Sequence, residues 1–129
     1  MLDIIVTLED IRRRDPRYPV DAYLFVREAL GYTQRMLGTS GHVTGRQLLE
    51  GIRRYALEAF GLCARTVLEG WGIWRTEDFG AIVFNMVDAG LLGRRDEDSV
   101  EDFVDGYDFY EVLDRSYRDM LTRRLAEEP

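Results

Sequence analysis

Phe79, Ile82, Val83, Met86 and Val87 fall at i, i+3, i+4, i+7 and i+8, and Gly90 follows them. That spacing places five apolar side chains on one face of a helix, and the glycine sits where a left-handed C-cap ends it. A chain built round such a stripe must supply other apolar faces to cover it. Ile4, Ile5, Leu8 and Ile11 give one, over about Asp3 to Arg14. Asp15-Pro16 and Pro19 break the chain, and Val20, Tyr23, Leu24 and Leu30 continue at helical spacing to about Leu37. After Gly38-Thr39-Ser40-Gly41, Thr44-Gly45-Arg46-Gln47 fits a capping box. The helix behind it carries Leu48, Leu49, Ile52, Tyr55 and Ala56. A shorter helix runs from about Leu62 to Glu69 and ends at Gly70. Trp71-Gly72-Ile73-Trp74 is a tight connection, and Thr76 is placed to cap the helix of the stripe.

Leu91 to Arg95 and Val100 to Phe109 read as two short strands round a polar turn, and a last helix covers about Tyr110 to Leu125. There is no internal repeat and no linker long enough to divide 129 residues, so one domain over 1–129 is expected. Helix, short helix, turn, helix and hairpin is the order of a winged helix-turn-helix. The expected fold class is therefore α+β and mostly helical. Its winged-helix-like core lies at about residues 44–109, with extra N-terminal helices and a C-terminal helix.

Charge is unevenly spread. All 17 basic residues are arginine. Without lysine there is no P-loop, no Schiff-base chemistry and no kinase-type phosphate clamp. One cysteine, Cys63, and one histidine, His42, cannot close a zinc site or an intrachain disulfide. Residues 1–95 hold 13 arginines and 12 acids, and residues 115–129 hold four arginines and three acids. The stretch between contains Asp96, Glu97, Asp98, Glu101, Asp102, Asp105, Asp108, Glu111 and Asp114 with no base, so the net charge of -7 is a local property.

A wing with that charge repels a duplex, because phosphate contacts dominate nucleic-acid affinity. The helix at the recognition position turns Glu77, Asp78, Asn85 and Asp88 outward and lacks arginine. Calcium is disfavoured too. An EF-hand counted from Asp96 meets Val100 at its fifth position and Glu101 at its sixth, where the sharp turn needs glycine. Two readings of the segment remain level: charge that protects an edge strand, and a docking surface for a basic partner. Trp71 and Trp74 read as core or hinge residues, or, if exposed, as anchors for a partner. Cys63 reads as a buried thiol. His42 reads as a turn or cap residue, and no nucleophile motif surrounds either.

Asp15-Pro16-Arg17-Tyr18 before the Ala22 to Val26 helix, His42-Val43-Thr44-Gly45-Arg46-Gln47-Leu48-Leu49, and Trp74-Arg75-Thr76-Glu77-Asp78-Phe79-Gly80 resemble one group of sequences. So do Asp98-Ser99-Val100-Glu101-Asp102-Phe103 and Tyr107-Asp108-Phe109. That group is a conserved-hypothetical bacterial family associated with planctomycetes and verrucomicrobia. The resemblance spans about Asp3 to Asp114. It implies no activity and no site residue, because the family has no assigned function.

The expectation is a non-enzymatic, cytoplasmic interaction module with no cofactor and no metal. It docks a protein partner with a basic surface through the hairpin Asp96 to Asp108, using Asp96, Glu97, Asp98, Glu101, Asp102, Asp105 and Asp108 with Trp71 and Trp74. Self-association is compatible with that surface. Nucleic acid is an unlikely partner, and no membrane contact is expected: the apolar N-terminus is too short for a signal peptide core, and no window spans a bilayer. The alternative is a winged-helix-type DNA-binding regulator that uses its arginine-bearing helices. A carboxylate hydrolase or transferase with a divalent ion stands third.

Overall fold

The computed structural model describes residues 3–93 and 100–127. Among the described residues there are six α-helices: α1 (Ile4–Arg14), α2 (Val20–Leu37), α3 (Gly45–Phe60), α4 (Ala64–Gly70), α5 (Thr76–Asp88) and α6 (Ser116–Glu127). A 3-10 turn, Gly61–Cys63, leads into α4, and another occupies Val100–Phe103. A π-helical segment, Tyr110–Arg115, runs directly into α6.

Local chemistry explains the helix boundaries. Asp3 accepts the N–H of Ile5 at 2.9 Å and starts α1, while Arg12, Arg13 and Arg14 sit in its last turn, where the helix dipole favours cations. The capping box forms: Thr44 Oγ1 accepts the N–H of Gln47 at 3.1 Å, and the Gln47 side chain accepts that of Thr44 at 2.9 Å. At the end of α5, Gly90 is left-handed with φ +79°. The Leu91 N–H reaches back to the Met86 carbonyl at 2.9 Å, so this helix stops as the sequence requires.

The α+β expectation does not survive. Among the described residues there is no β-strand. Leu91 is spent on the α5 cap, and Arg94 and Arg95 lie outside the described residues. Val100 to Phe109 was expected as a strand, but Val100, Phe103, Val104 and Tyr107 fall at i, i+3, i+4 and i+7, a helical spacing. The first four residues of that segment form a 3-10 turn, and the chain then bends at Asp105-Gly106 before entering the last helix. With no sheet there is no wing. The winged-helix-like core at 44–109 is therefore corrected to an all-helical arrangement, and the winged-helix-type DNA-binding regulator loses the architecture it needed. Two of its arginines, Arg53 and Arg54, both turn to Glu50 on their own helix.

The α2–α3 pairing is the most extensive in the molecule, and α2 also packs against α1 and α5. Tyr23, Val26 and Ala29 of α2 are fully buried, as are Ile52 and Ala56 of α3 and Phe79, Ile82 and Met86 of α5. The two long helices approach closely because Gly51 faces Thr33. A Cβ at residue 51 would overlap Thr33 Oγ1 and lie 2.8 Å from its Cβ. Thr33 cannot swing away, since it is fully buried and its hydroxyl donates to the Ala29 carbonyl at 2.7 Å. The last helix is fastened to α4 by Arg65, whose guanidinium meets the buried Asp114 carboxylate at 2.8 Å.

Gly51→Ala should therefore push α2 and α3 apart and cost about 1–3 kcal/mol, the range for overpacking a core. Thr33→Ala in the same chain should recover part of that loss. Chemical denaturation of both single variants and the double variant measures the coupling, and strictly additive effects would contradict the close crossing.

Candidate functional site

The chain leaves α4 through a left-handed Gly72, φ +80°, with Ile73 N–H bonded back to the Leu68 carbonyl at 2.9 Å. A side chain at 72 would press against the Arg17 carbonyl at 2.9 Å, so the turn lies flat on the α1–α2 junction. Ile73 is fully buried, and the next residue, Trp74, is thrown outward with 62% of its surface exposed.

Asp78 fixes the backbone there. One carboxylate oxygen accepts the N–H groups of Trp74 at 2.8 Å and Arg75 at 3.2 Å, and the other accepts the Tyr18 hydroxyl at 2.6 Å. Tyr18 is almost wholly buried. Its burial raises the phenol pKa above the ordinary tyrosine range, and the bond to Asp78 adds to the rise. Beside it, Asn85 donates to Asp15 at 2.9 Å and to the Tyr23 hydroxyl at 3.0 Å. The Arg17 guanidinium, at 2.7 and 2.8 Å, holds the Asp15 carboxyl well below the usual carboxylate range, with Asn85 assisting. This network joins the α1–α2 turn to α5 and sets the position from which Trp74 projects.

The facing wall is the loop after the second 3-10 turn. Phe103, 3% exposed, sits over Gly45 of α3 and Gly80 of α5; a Cβ at either position would lie 3.1 Å from its ring. The buried Thr76 hydroxyl donates to the Phe103 carbonyl at 2.7 Å and accepts the Gly106 N–H at 2.9 Å. Asp105 between them is left-handed, φ +48°, and its N–H meets the Glu77 carboxylate at 3.3 Å. Asp108 caps the last helix by accepting the Glu111 N–H at 3.0 Å. Tyr107 donates to the Leu49 carbonyl at 2.8 Å, and burial pushes its phenol pKa up.

Between these walls runs a groove of about 380 Å³. Trp74, Arg75 and Glu77 line one side, and Asp105, Tyr107, Asp108 and Phe109 the other. Three carboxylates and one guanidinium line it, beside an exposed indole.

The expected site residues are thus divided. Trp74, Asp105 and Asp108 come together in the groove. Trp71 does not: it is half-buried against Phe25 and Phe60, with ring centroids 5.5 and 6.0 Å away. Asp102 lines a second, mainly apolar cavity of about 330 Å³ between α2, α3 and α5, with Leu30, His42, Leu48 and Val83. Glu101 is exposed on the 3-10 turn but does not line the groove. Asp96, Glu97 and Asp98 lie outside the described residues. Sequence reasoning turned Glu77 outward without assigning it to this site, and it missed Arg75, Tyr107 and Phe109. Asp105-Gly106, a turn dipeptide, was the available signal that the chain bends there. Cys63, expected buried, is exposed on the turn before α4, while His42 belongs to the second cavity. Among the described residues no group of three or more His, Cys, Asp or Glu side chains is placed to hold a metal ion. No helix among them is long and apolar enough to cross a membrane.

Asp15 carries a depressed carboxyl pKa, so its stabilising effect is present above the unfolded value of about 3.9 and is lost as the pH falls further. Asp15→Asn should lower stability by about 1–2 kcal/mol at pH 7, the size of a charge-assisted hydrogen bond. The gap from the parent chain should narrow progressively as the pH falls below about 4. Denaturation curves from pH 2.5 to 7 measure it, and a constant gap would contradict this role for the carboxylate.

No protein family model matches the sequence, and no curated protein or solved structure matches the chain.

Proposed function

We propose that the chain is a non-enzymatic docking module that takes a basic protein segment into the groove between Trp74 and the Asp105–Asp108 loop. The observation that carries this reading is the exposed Trp74 beside Glu77, Asp105 and Asp108. An arginine of the partner stacks on the indole face, where a cation is drawn to the ring quadrupole. The carboxylates supply acceptors for its N–H groups. Each part contributes differently. Solvated carboxylates steer encounter and set charge preference, whereas affinity rests on burying the tryptophan. Arg75 on the same wall repels a second cation and limits how many basic residues the groove admits.

The backbone supports the reading because its hydrogen bonds fix both walls of the groove. Asp78, Thr76 and the Asp108 cap fix the segments on both walls, so little ordering is left for the partner to impose. The module works in the cytoplasm, in keeping with a single, exposed cysteine.

Trp71→Phe leaves Trp74 as the sole tryptophan and keeps an aromatic ring against Phe25 and Phe60. In that background, an amidated tetra-arginine peptide should change the emission of Trp74 saturably, while a tetra-glutamate peptide should not. Asp105→Asn with Asp108→Asn keeps a residue that tolerates the left-handed turn and one that caps a helix. This pair should weaken binding about tenfold or more, in the range of lost charged contacts. Equal response to both peptides, or no effect of the double variant, would contradict the proposal.

A further inference from the structure

We propose that the cavity between α2, α3 and α5 is a second binding site, and that it takes a small molecule with an apolar body and a primary ammonium at one end. It is separate from the Trp74 groove and does not depend on the docking reading.

The space arises from small residues where three helices meet. Gly41, Gly45 and Gly93 line it without side chains, while Leu30 of α2, Leu48 of α3 and Val83 and Val87 of α5 supply apolar walls. Phe103 completes the lining. Its ring would lie 3.1 Å from a Cβ on Gly45, so the 3-10 turn Val100–Phe103 rests directly on the start of α3. Packed interiors leave few spaces larger than a water molecule, whereas ligand sites begin at about 300 Å³. At about 330 Å³ this cavity has the size of a ligand site. An apolar cavity of about 150 Å³ takes benzene, so roughly a dozen non-hydrogen atoms fill this one.

The chain itself fixes the rim. Gln34 Nε2 donates to the Gly41 carbonyl at 3.0 Å and to the Ser40 carbonyl at 3.4 Å, and the Gly41 N–H donates to Thr39 Oγ1 at 3.0 Å. On the other side of His42, the capping box holds Thr44. Both ends of this loop are thus set, and a ligand has little ordering to impose.

Charge selects the polar end of the ligand. At pH 7, with His42 neutral, Asp102 is the charged side chain of the lining. It is half-buried, and its Cβ lies 2.7 Å from where a Cβ on Gly45 would stand. Among the described residues no hydrogen bond or ion pair engages the Asp102 carboxylate, and no arginine lines the cavity. A carboxylate beside apolar walls gains most from a donor that is itself charged, because charge-assisted hydrogen bonds are the stronger ones. Gln34 adds to the preference. Its Nε2 is taken by the loop carbonyls, which leaves the amide oxygen as an acceptor. An anionic ligand would instead meet the Asp102 charge, and the nine acids of residues 96–114 oppose it further.

Titration calorimetry on the full chain with phenylbutylamine, phenylbutanol and phenylbutanoate tests the site, since the three share one body and differ at the end group. One amine per chain is expected, bound about tenfold tighter than the alcohol, the step between a charged and a neutral hydrogen bond. The carboxylate should bind weakest. Asp102→Asn breaks no bond within the chain, so it should bring the amine down to the alcohol and leave the melting temperature of the ligand-free protein in place. Methyl NMR locates the ligand: resonances of Leu30, Leu48, Val83 and Val87 should shift, while the Trp74 indole should not. Failure of all three compounds to saturate, an amine no tighter than the carboxylate, or an Asp102→Asn chain that keeps the preference overturns the inference. Shifts at Trp74 in place of these methyls overturn it too; they assign the amine to the groove and leave the docking reading standing.

Discussion

The hydroxyl of Thr76 ties together the two parts of the molecule that sequence order keeps apart. It donates to the Phe103 carbonyl and accepts the Gly106 N–H, so one buried side chain satisfies backbone groups that a sheet would otherwise have paired. The segment from Val100 to Gly106 is thereby bound to the start of α5. Phe103 then fills the space that Gly45 and Gly80 leave open, and Asp105 is carried to the surface facing Trp74.

The frame that receives the knot depends on α2. Its close crossing with α3 at Thr33 and Gly51 and its contacts with α1 and α5 make it the central strut. The polar network of Asp15, Tyr18, Tyr23, Asp78 and Asn85 runs beside it, from the α1–α2 turn to α5. Buried polar groups of this kind define one arrangement of helices because each is costly to leave unsatisfied. Asp78 acts on both sides at once, bonding Tyr18 in the interior and the N–H of Trp74 at the surface. Core and groove are therefore set by the same carboxylate.

The proposed docking of a basic segment rests on an electrostatic feature of the sequence. Residues 96–114 hold nine acids and no base, while the rest of the chain is nearly balanced. Exposed charges contribute little to the stability of a single chain, so their segregation carries more meaning for encounter than for folding. Trp74 gives that encounter an apolar element on which it can become an interface.

Much of this was legible in the residues. The helices from α1 to α5 follow from apolar spacing, from the Thr44 capping box and from the Gly90 stop, because those signals act within a few residues; the N-cap of α5 is Arg75 rather than Thr76. The location of the negative charge was equally plain. The misreading fell on Val100 to Phe109, where a short apolar pattern fits a strand or a helical turn, and partners decide between them. Here the partner is Thr76, 27 residues from Phe103, and the deciding space belongs to Gly45 and Gly80. The same holds for the two tryptophans. They are three residues apart in one tight connection, yet Trp71 packs on Phe25 and Phe60 while Trp74 faces solvent. The sequence by itself determined the helices and the place of the charge, since spacing and capping are local. Only the tertiary structure decided which acids share a groove with an exposed indole, since that depends on contacts between residues far apart in the chain.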